Sequence, residues 1–198
     1  MSVFVIALTG SIGMGKTTTA QMFADEGIPV WSADDAVHRL YARDGAGVRA
    51  IQDLHPDAIV DGAVDRNRLA AWIGQDATRL NDIEARIHPL VAADRSAFLS
   101  NTAADIALVD IPLLFETGAQ DVADLIVVVS APKGVQRARV LDRPDMTEDR
   151  FDLILSKQLP DAEKRARADV VIETISLEAA RSAVQTLLSD IRKTLANA

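Results

Sequence analysis

The stretch Val3–Thr17, VFVIALTGSIGMGKT, decides the fold. It opens with an apolar run, Val3–Thr9, that has the length and composition of a strand buried on both faces. A glycine-rich loop follows this run directly, and a helical pattern, Thr17–Asp25, follows the loop. Strand, loop and helix in this order are the context in which such a loop binds phosphate.

The loop fits the phosphate-binding pattern G-x-x-x-x-G-K-[ST]. Its residues are Gly10, Ser11, Ile12, Gly13, Met14, Gly15, Lys16 and Thr17, and Thr18 comes next. Glycine permits backbone conformations that a Cβ would block, so that successive N–H groups turn inward around a phosphate. A lysine in this position reaches the β- and γ-phosphates, and the following hydroxyl suits Mg²⁺. The pattern therefore predicts that Gly10–Thr18 binds a nucleoside triphosphate with Mg²⁺.

The remainder of the chain alternates short apolar runs with helical patterns. The further runs are Ile28–Trp31, Ile106–Ile111, Leu125–Ser130 and Val170–Glu173. Alternation of this kind predicts an α/β fold with a mainly parallel sheet. The last helical pattern carries Leu177, Val184, Leu188, Ile191 and Leu195 at a spacing that predicts one buried stripe.

Residues 35–104 break the alternation. They contain no convincing strand, but they contain helical stretches, Arg66–Ile73 and Ala77–Ser100. This interval is longer than a crossover between parallel strands needs. It predicts an inserted helical lobe for substrate recognition, and a thick helical layer with a packing role only is the alternative.

Composition and charge limit the class of protein. The 198 residues are 48% apolar, carry a formal net charge of −8 and include no cysteine. The missing cysteine excludes disulfides, thiolate metal sites and cysteine nucleophiles. The acidic balance disfavours nucleic-acid and anionic-membrane partners. With no signal-peptide pattern and no apolar run near the ~20 residues of a membrane span, we expect one soluble cytoplasmic domain.

The triphosphate loop leaves several functional classes open. An N-K-x-D guanine motif is missing from the sequence, which disfavours a GTPase. A small chain with an acid at the end of a strand and an arginine-rich late helix favours a small-molecule kinase. A nucleotide-dependent switch or binding module without an acceptor is the alternative from another class.

Four further segments narrow the choice. They are Pro29–Asp35 (PVWSADD), Ile87–Pro89 (IHP), Asp110–Glu116 (DIPLLFE) and the spaced set Gln136, Arg139 and Arg143. Together with the loop, this ordered set resembles the dephospho-CoA kinase family over residues 3–175. The sequence departs from the family pattern at Ser32, where the family often has Asp, and at Thr174, where Asn is common. Another P-loop kinase, acting on a nucleoside, a nucleotide or a small alcohol, remains the alternative.

The resemblance implies a fold and a reaction. The fold is the three-layer P-loop architecture with a five-stranded parallel sheet. Residues 1–34 and 105–198 form its core, residues 35–104 a helical CoA-binding lobe, and a mobile lid lies near residues 139–160. The reaction is transfer of the ATP γ-phosphoryl group to the ribose 3′-hydroxyl of dephospho-CoA. Nothing in the sequence specifies the oligomeric state.

Two acidic residues are candidates for the chemistry. Asp34 is expected at the end of the second strand, on the sheet edge where ligands bind. It is suited to orient the attacking hydroxyl and to accept its proton, and the alternative is a helix N-cap. Asp110, late in an apolar strand, is suited to hold Mg²⁺ through a water, with a strand-end cap as the alternative.

Basic and apolar residues complete the predicted site. Arg139 and Arg143, four residues apart, are expected on one helical face, where they would clamp the triphosphate. Their alternative is salt bridges with Asp142 or Glu148. The predicted contacts to the acceptor come from Arg66, His88, Pro112, Leu113, Leu114 and Phe115. Because His88 precedes Pro89, we expect the long helix to break or kink there.

Overall fold

A computed structural model describes residues 3–197. The strands within this range are β1 (Phe4–Thr9), β2 (Val30–Ser32), β3 (Ile59–Val60), β4 (Ala63–Val64), β5 (Ile106–Asp110), β6 (Leu125–Ser130) and β7 (Val170–Glu173). The first five helices are α1 (Lys16–Asp25), α2 (Ala33–Tyr41), α3 (Ala46–Gln52), α4 (Arg66–Gln75) and α5 (Arg79–Asn101). The last four are α6 (Lys133–Leu141), α7 (Glu148–Ser156), α8 (Asp161–Ala166) and α9 (Leu177–Ala196).

The main sheet has five strands in the order β2-β5-β1-β6-β7. β1 pairs in parallel with β5 on one side and β6 on the other, and β6 pairs in parallel with β7. All five residues of β5 are buried, as expected of a strand covered on both faces. The predicted α/β class with a five-stranded parallel sheet is confirmed.

The chain divides after Val30 and after Thr102 into two compact units. The first unit contains the phosphate loop, strands β1 and β5–β7, and helices α1 and α6–α9. Its apolar core joins sheet residues such as Leu8 and Val127 to helical residues such as Phe23 and Leu188. This core fixes the strand ends from which the phosphate loop and its neighbours extend.

The buried stripe on α9 is shorter than the sequence predicts. Val184, Leu188 and Ile191 are buried, but Leu177 is 69% exposed and Leu195 is 37% exposed. A helix of 20 residues is about 30 Å long. Strands of four to six residues span about 20 Å or less. The two ends of the helix therefore extend past the sheet, and the prediction of one buried stripe through both terminal leucines is wrong.

The second unit, residues 31–102, is mostly helical but contains a short hairpin. β3 and β4 pair antiparallel, with Ile59 opposite Val64. The turn between them holds Asp61 and Gly62 at φ 50° and 79°. The expectation of no strand in residues 35–104 is therefore wrong. Strands of two residues leave no periodic pattern in a sequence, although Asp-Gly is a strong hairpin-turn signal.

Helix α5 runs through Pro89 without interruption. The predicted helix break at His88–Pro89 is therefore wrong. A proline in a helix loses one main-chain hydrogen bond, here the one to the carbonyl four residues earlier. Burial of Ile83 and Ile87 on the same helix outweighs that loss.

Asp94 ties α5 to the start of the second unit. Its Oδ1 accepts from Trp31 Nε1 at 2.7 Å and from Arg39 Nη2 at 2.5 Å. The hydrogen bond from Arg39 is the main cause that lowers the pKa of Asp94.

Within residues 3–197, no helix has both the length and the apolar composition to cross a membrane.

Candidate active site

The phosphate loop bridges the end of β1 and the start of α1. Gly13 and Gly15 have φ of 78° and 87°, in the region that favours glycine. A Cβ on Gly13 would also overlap Val140 Cγ2 and lie 3.0 Å from the Gln136 carbonyl oxygen. Gly10 is needed for a different reason, because a Cβ there would lie 2.8 Å from the Val129 carbonyl oxygen. The loop is thus packed closely against β6 and α6.

The lysine of the loop lies next to the acid at the end of β5. Lys16 Nζ donates to Asp110 Oδ1, and the two side chains are only 14% and 10% exposed. Thr17 and Thr18 are exposed in the first turn of α1. The structure therefore brings together three predicted elements of the triphosphate site: the loop, its lysine and the strand-end carboxylate.

Two glutamines hold the loop at one residue. Gln136, 5% exposed on α6, donates from Nε2 to the Ile12 carbonyl at 2.8 Å. The N–H of Ile12 donates to Gln158 Oε1 at 3.0 Å. Gln158 lies between α7 and α8. Both polar groups of Ile12 are thus satisfied by side chains that follow the loop by more than 120 residues.

Arg139 is held by Thr174, the residue just after β7. Arg139 Nη1 donates to Thr174 Oγ1 at 3.1 Å, and Nη2 donates to the Thr174 carbonyl at 2.5 Å. The same Oγ1 donates to the Met14 carbonyl in the phosphate loop at 2.8 Å. Thr174 is 7% exposed. Thr174 stands where the resemblance implies Asn. Its hydroxyl connects the phosphate loop to Arg139, one of the arginines predicted for the site.

Arg143 does not share a helical face with Arg139. α6 ends at Leu141, and Asp142 caps it, so Arg143 lies in the exposed link before α7. The prediction of two arginines on one face of a helix is therefore wrong, because the helix stops before its next turn. The predicted partner Glu148 instead forms an ion pair with Arg137.

A side chain at the end of β1 holds the turn after β5. Thr9 Oγ1 donates to the Pro112 carbonyl at 3.0 Å. Leu114 is fully buried and Phe115 is 7% exposed, whereas Leu113 is exposed. A residue without exposed surface packs the core and does not line a substrate wall. Among the three apolar residues, Leu113 therefore presents surface to solvent and the other two act mainly in packing.

Glu116 and Lys164 form an interior ion pair that the sequence did not reveal. Lys164 has no exposed surface, and its Nζ lies 2.7 Å from Glu116 Oε1. The N–H of Leu159 also donates to Oε1, at 2.8 Å. Burial opposes ionisation of Glu116, but the hydrogen bonds from Lys164 and Leu159 outweigh it and lower the pKa of the carboxyl group. Glu116 is therefore ionised in the folded protein at neutral pH.

In the second unit, Asp34 lies in the first turn of α2 and is exposed. The strand before it ends at Ser32, whose Oγ accepts from the Asp35 N–H at 3.2 Å. Asp34 is therefore not the last residue of the strand, and the N-cap is Ser32. A short polar side chain caps a helix better from the residue just before it. The carboxylate of Asp34 is thus not used as a cap.

His38 and Arg66 extend the polar surface near Asp34. His38 is one turn further along α2, so it shares a helical face with Asp34. Its Nε2 lies 3.0 Å from Arg66 Nη1. The Arg66 guanidinium lies 5.7 Å from the centre of the Tyr41 ring. Sequence reasoning missed His38, although its spacing of four from Asp34 was a usable signal. His88 is elsewhere in this unit, exposed on α5.

The residues near the loop fit a magnesium ion. Within the described residues, no group of three or more His, Cys, Asp or Glu side chains is placed to hold a metal. Mg²⁺ usually takes one or two protein oxygens and completes its shell with water and substrate phosphates. The Thr17 hydroxyl and the Asp110 carboxylate are oxygen ligands of that kind.

A cavity of about 850 Å³ adjoins the loop within the first unit. Ser11 and Met14 of the loop line it, together with Gln136, Gln158 and parts of α7 and α8. The two glutamines that hold Ile12 therefore border open space.

A strand, a phosphate loop and a helix on a five-stranded parallel sheet define a P-loop kinase fold. Two solved kinase structures share this fold. A dephospho-CoA kinase from Campylobacter jejuni is 20% identical, with a TM-score of 0.64 and coverage of 94% of this chain and 96% of that one. A shikimate kinase from Acinetobacter baumannii is 19% identical, with a TM-score of 0.56 and coverage of 97% and 94%.

Sequence similarity specifies the family within this class. A family model described as dephospho-CoA kinase matches residues 4–178. The dephospho-CoA kinase of Cereibacter sphaeroides is 55% identical over 98% of both chains, and that of Ruegeria pomeroyi is 52% identical over 96% of both. The chain belongs to the dephospho-CoA kinase family, as its motifs indicate.

Proposed function

We propose that this chain transfers the γ-phosphoryl group of ATP to the ribose 3′-hydroxyl of dephospho-CoA, giving coenzyme A and ADP. The observation that carries the proposal is the family match over residues 4–178, which includes a phosphate loop with its lysine beside a strand-end acid. We propose the cytoplasm as the place of this reaction.

Lys16 and the N–H groups of the loop, apart from that of Ile12, which donates to Gln158, are assigned to the β- and γ-phosphates of ATP. Phosphate oxygens compete with Asp110 for the Lys16 ammonium, because both are anionic. The carboxylate of Asp110 and the hydroxyl of Thr17 are the residues that would hold Mg²⁺. When bound, Mg²⁺ neutralises charge on the β- and γ-oxygens.

Asp34 is assigned to the acceptor hydroxyl. The hydroxyl oxygen forms a bond to the γ-phosphorus, while the bond from that phosphorus to the β–γ bridging oxygen breaks and its electron pair leaves with ADP. The hydroxyl proton passes to the Asp34 carboxylate. Since the transition state of phosphoryl transfer is loose, holding the hydroxyl in line matters more than the basicity of Asp34.

Arg139 and Arg143 are assigned to the negative charge of the triphosphate. Thr174 holds the Arg139 guanidinium at two points, which fixes its position. A guanidinium has five N–H donors, so other donors serve the phosphate oxygens. Arg143 belongs to the segment near residues 139–160 that we propose as a lid over ATP, with its last residues fixed where the Leu159 N–H donates to Glu116 Oε1.

The second unit is assigned to acceptor recognition, as part of a CoA-binding lobe at residues 35–104 on a core of residues 1–34 and 105–198. Arg66, held by His38, is suited to a phosphate of the acceptor. His88, exposed on α5, is assigned to the region of the reacting ribose on the strength of the family match. In the turn after β5, Pro112 and Leu113 are the residues that would offer apolar contact.

The proposal is tested by an assay that couples ADP release to a spectroscopic signal, with and without dephospho-CoA in the presence of Mg²⁺. We expect ADP to form only with dephospho-CoA, and Lys16→Met to abolish that signal. A panel of nucleosides, nucleotides and small alcohols tests the neighbouring kinase classes. ADP release that depends on one of those acceptors, or on no acceptor, contradicts the proposal.

A further inference from the structure

The link between α7 and α8, residues 157–160, contacts two separate parts of the first unit. Gln158 and Leu159 are neighbours in this link, and they face different partners. Gln158 Oε1 accepts from the Ile12 N–H in the phosphate loop at 3.0 Å. The Leu159 N–H donates to Glu116 Oε1, at the end of the turn after β5, at 2.8 Å. One short link therefore contacts both the loop for ATP and the turn that carries Pro112 and Leu113.

The contact between the link and the turn after β5 is made through a buried ion pair. Glu116 Oε1 accepts from the Leu159 N–H and from Lys164 Nζ, the latter at 2.7 Å. Lys164, on α8, has no exposed surface. Separating a buried ion pair leaves an uncompensated charge in the interior, which is strongly unfavourable. Two contacts thus fix the link relative to the turn. One is made by the Leu159 N–H of the link itself, and the other by Lys164 on the helix that follows it.

The contact to the loop acts on a residue that has no side-chain role in binding phosphate. Ile12 lies between Gly10 and Gly13, and glycines leave the main chain around it many accessible conformations. Gln158 accepts from its N–H, and Gln136 donates to its carbonyl at 2.8 Å. Two glutamines thus replace the hydrogen bonds that a neighbouring strand would provide. Holding these groups lowers the conformational entropy that the loop must lose when phosphate binds.

We propose that Gln158 and Gln136 are positioning residues that hold the phosphate loop in its ATP-binding geometry. We further infer that the Glu116–Lys164 pair positions Gln158, because it fixes the link that carries this side chain. Neither glutamine touches substrate in this scheme, since each acts through the main chain of Ile12. The inference rests on the proposed function only in that ATP is the ligand of the loop.

The first test is the affinity for ATP, measured by isothermal titration calorimetry without acceptor. Loss of one neutral hydrogen bond corresponds to a decrease in affinity of about three- to tenfold. We expect Gln158→Ala and Gln136→Ala each to raise the Kd for ATP by this factor. The double variant is expected to fall short of the product of the two effects, because both side chains hold the same residue.

A matched control is Gln185→Ala. Gln185 likewise makes a side-chain hydrogen bond, donating from Nε2 to Glu26 Oε1 at 2.7 Å, but it lies on α9. We expect its ATP affinity to equal that of the wild type. Folding of the glutamine variants is expected to survive, since Gln136 and Gln158 border an existing cavity.

The second test asks whether the Glu116–Lys164 ion pair acts on the phosphate loop through Gln158. The double variant Glu116→Gln/Lys164→Met removes both charges together, which is better tolerated than removing one. We expect it to raise the Kd for ATP about threefold, and we expect Gln158→Ala to add little further in that background. Full additivity of the two changes contradicts the role of the ion pair.

The KM values distinguish positioning from general destabilisation. A positioning role predicts that Gln158→Ala raises the KM for ATP while the KM for dephospho-CoA stays within twofold of the wild type. Equal ATP affinity in wild type, Gln158→Ala and Gln136→Ala overturns the inference. Failure of the proposed function has a different signature, since wild-type enzyme would then bind ATP and form no ADP with dephospho-CoA.

Discussion

Replacement of Thr174 by valine tests how the phosphate loop is supported. The side-chain hydroxyl donates to the Met14 carbonyl at 2.8 Å and accepts from Arg139 Nη1 at 3.1 Å. Valine has nearly the same shape but has no hydroxyl, so both contacts are lost. The Thr174 carbonyl still accepts from Arg139 Nη2, so the arginine keeps one of its two contacts.

The magnitude follows from those two hydrogen bonds. Each contributes about 0.5–1.5 kcal/mol net, so the free energy of unfolding should fall by about 1–3 kcal/mol. For a chain of this length, that loss corresponds to a decrease in Tm of about 2–12 °C. Because the Met14 carbonyl belongs to the loop, the KM for ATP should rise about three- to tenfold.

Thermal denaturation and steady-state kinetics measure the two effects. Thr174→Ser keeps the hydroxyl and is the matched control, and we expect its KM for ATP to stay near the wild-type value. A Thr174→Val variant with wild-type Tm and wild-type KM for ATP would show that the hydroxyl supports neither the fold nor the phosphate loop. So would a serine variant as impaired as the valine variant, since loss of the methyl group would then be the cause.

Three further experiments test other parts of the site. Asp34→Asn should lower kcat by about a hundredfold and leave the ATP Kd unchanged in calorimetry, because this carboxylate acts on the acceptor. Gly13→Ala should reduce the free energy of unfolding by about 2–5 kcal/mol in urea denaturation, from its φ of 78° and its close neighbours. Gly134→Ala is its control and should be neutral or stabilising by up to about 1 kcal/mol, since nothing lies within 4 Å. The Glu116 pKa is lowered on folding, so its stabilisation is present above its ordinary value of 4.5 and is lost as the pH falls. Urea midpoints from pH 7 to pH 3.5 should therefore decrease less steeply in Glu116→Gln/Lys164→Met than in the wild type.

Each of these expectations has a clear contrary result. Near-normal turnover in Asp34→Asn removes this residue from the mechanism. Equal stability of the Gly13 and Gly134 variants shows that the loop tolerates a Cβ. Parallel pH profiles for the wild type and the Glu116→Gln/Lys164→Met variant show that the carboxyl group does not contribute to acid sensitivity.

Much of the main sheet could be predicted because its signals are local. The five strands are runs of apolar and β-branched residues, and the phosphate loop has a fixed spacing of glycine and lysine. The hairpin β3–β4 escaped prediction because two residues are too few to show a period. The extent of α5 follows the predicted helical stretch Ala77–Ser100 closely, but the break predicted at Pro89 is wrong, because a proline removes one hydrogen bond whereas burial along the helix decides its continuity.

The support of the site could not be predicted, because its contacts join distant parts of the chain. Gln158 meets Ile12 across 146 residues, and no periodic pattern marks a side chain that binds a main-chain group. Lys164 lies in a stretch rich in charge, which normally indicates an exposed helix, yet it is buried against Glu116. Arg143 was placed by spacing alone, and the helix ends two residues before it.

Identification of the product tests the proposed transfer to the ribose 3′-hydroxyl. Enzyme, ATP, Mg²⁺ and dephospho-CoA are incubated, and the products are followed by ³¹P NMR and mass spectrometry. We expect ADP together with one new phosphomonoester on the 3′-oxygen of the ribose, and neither product with Lys16→Met. Inorganic phosphate as the only product besides ADP, or a phosphoryl group on any other oxygen, would contradict the proposed transfer.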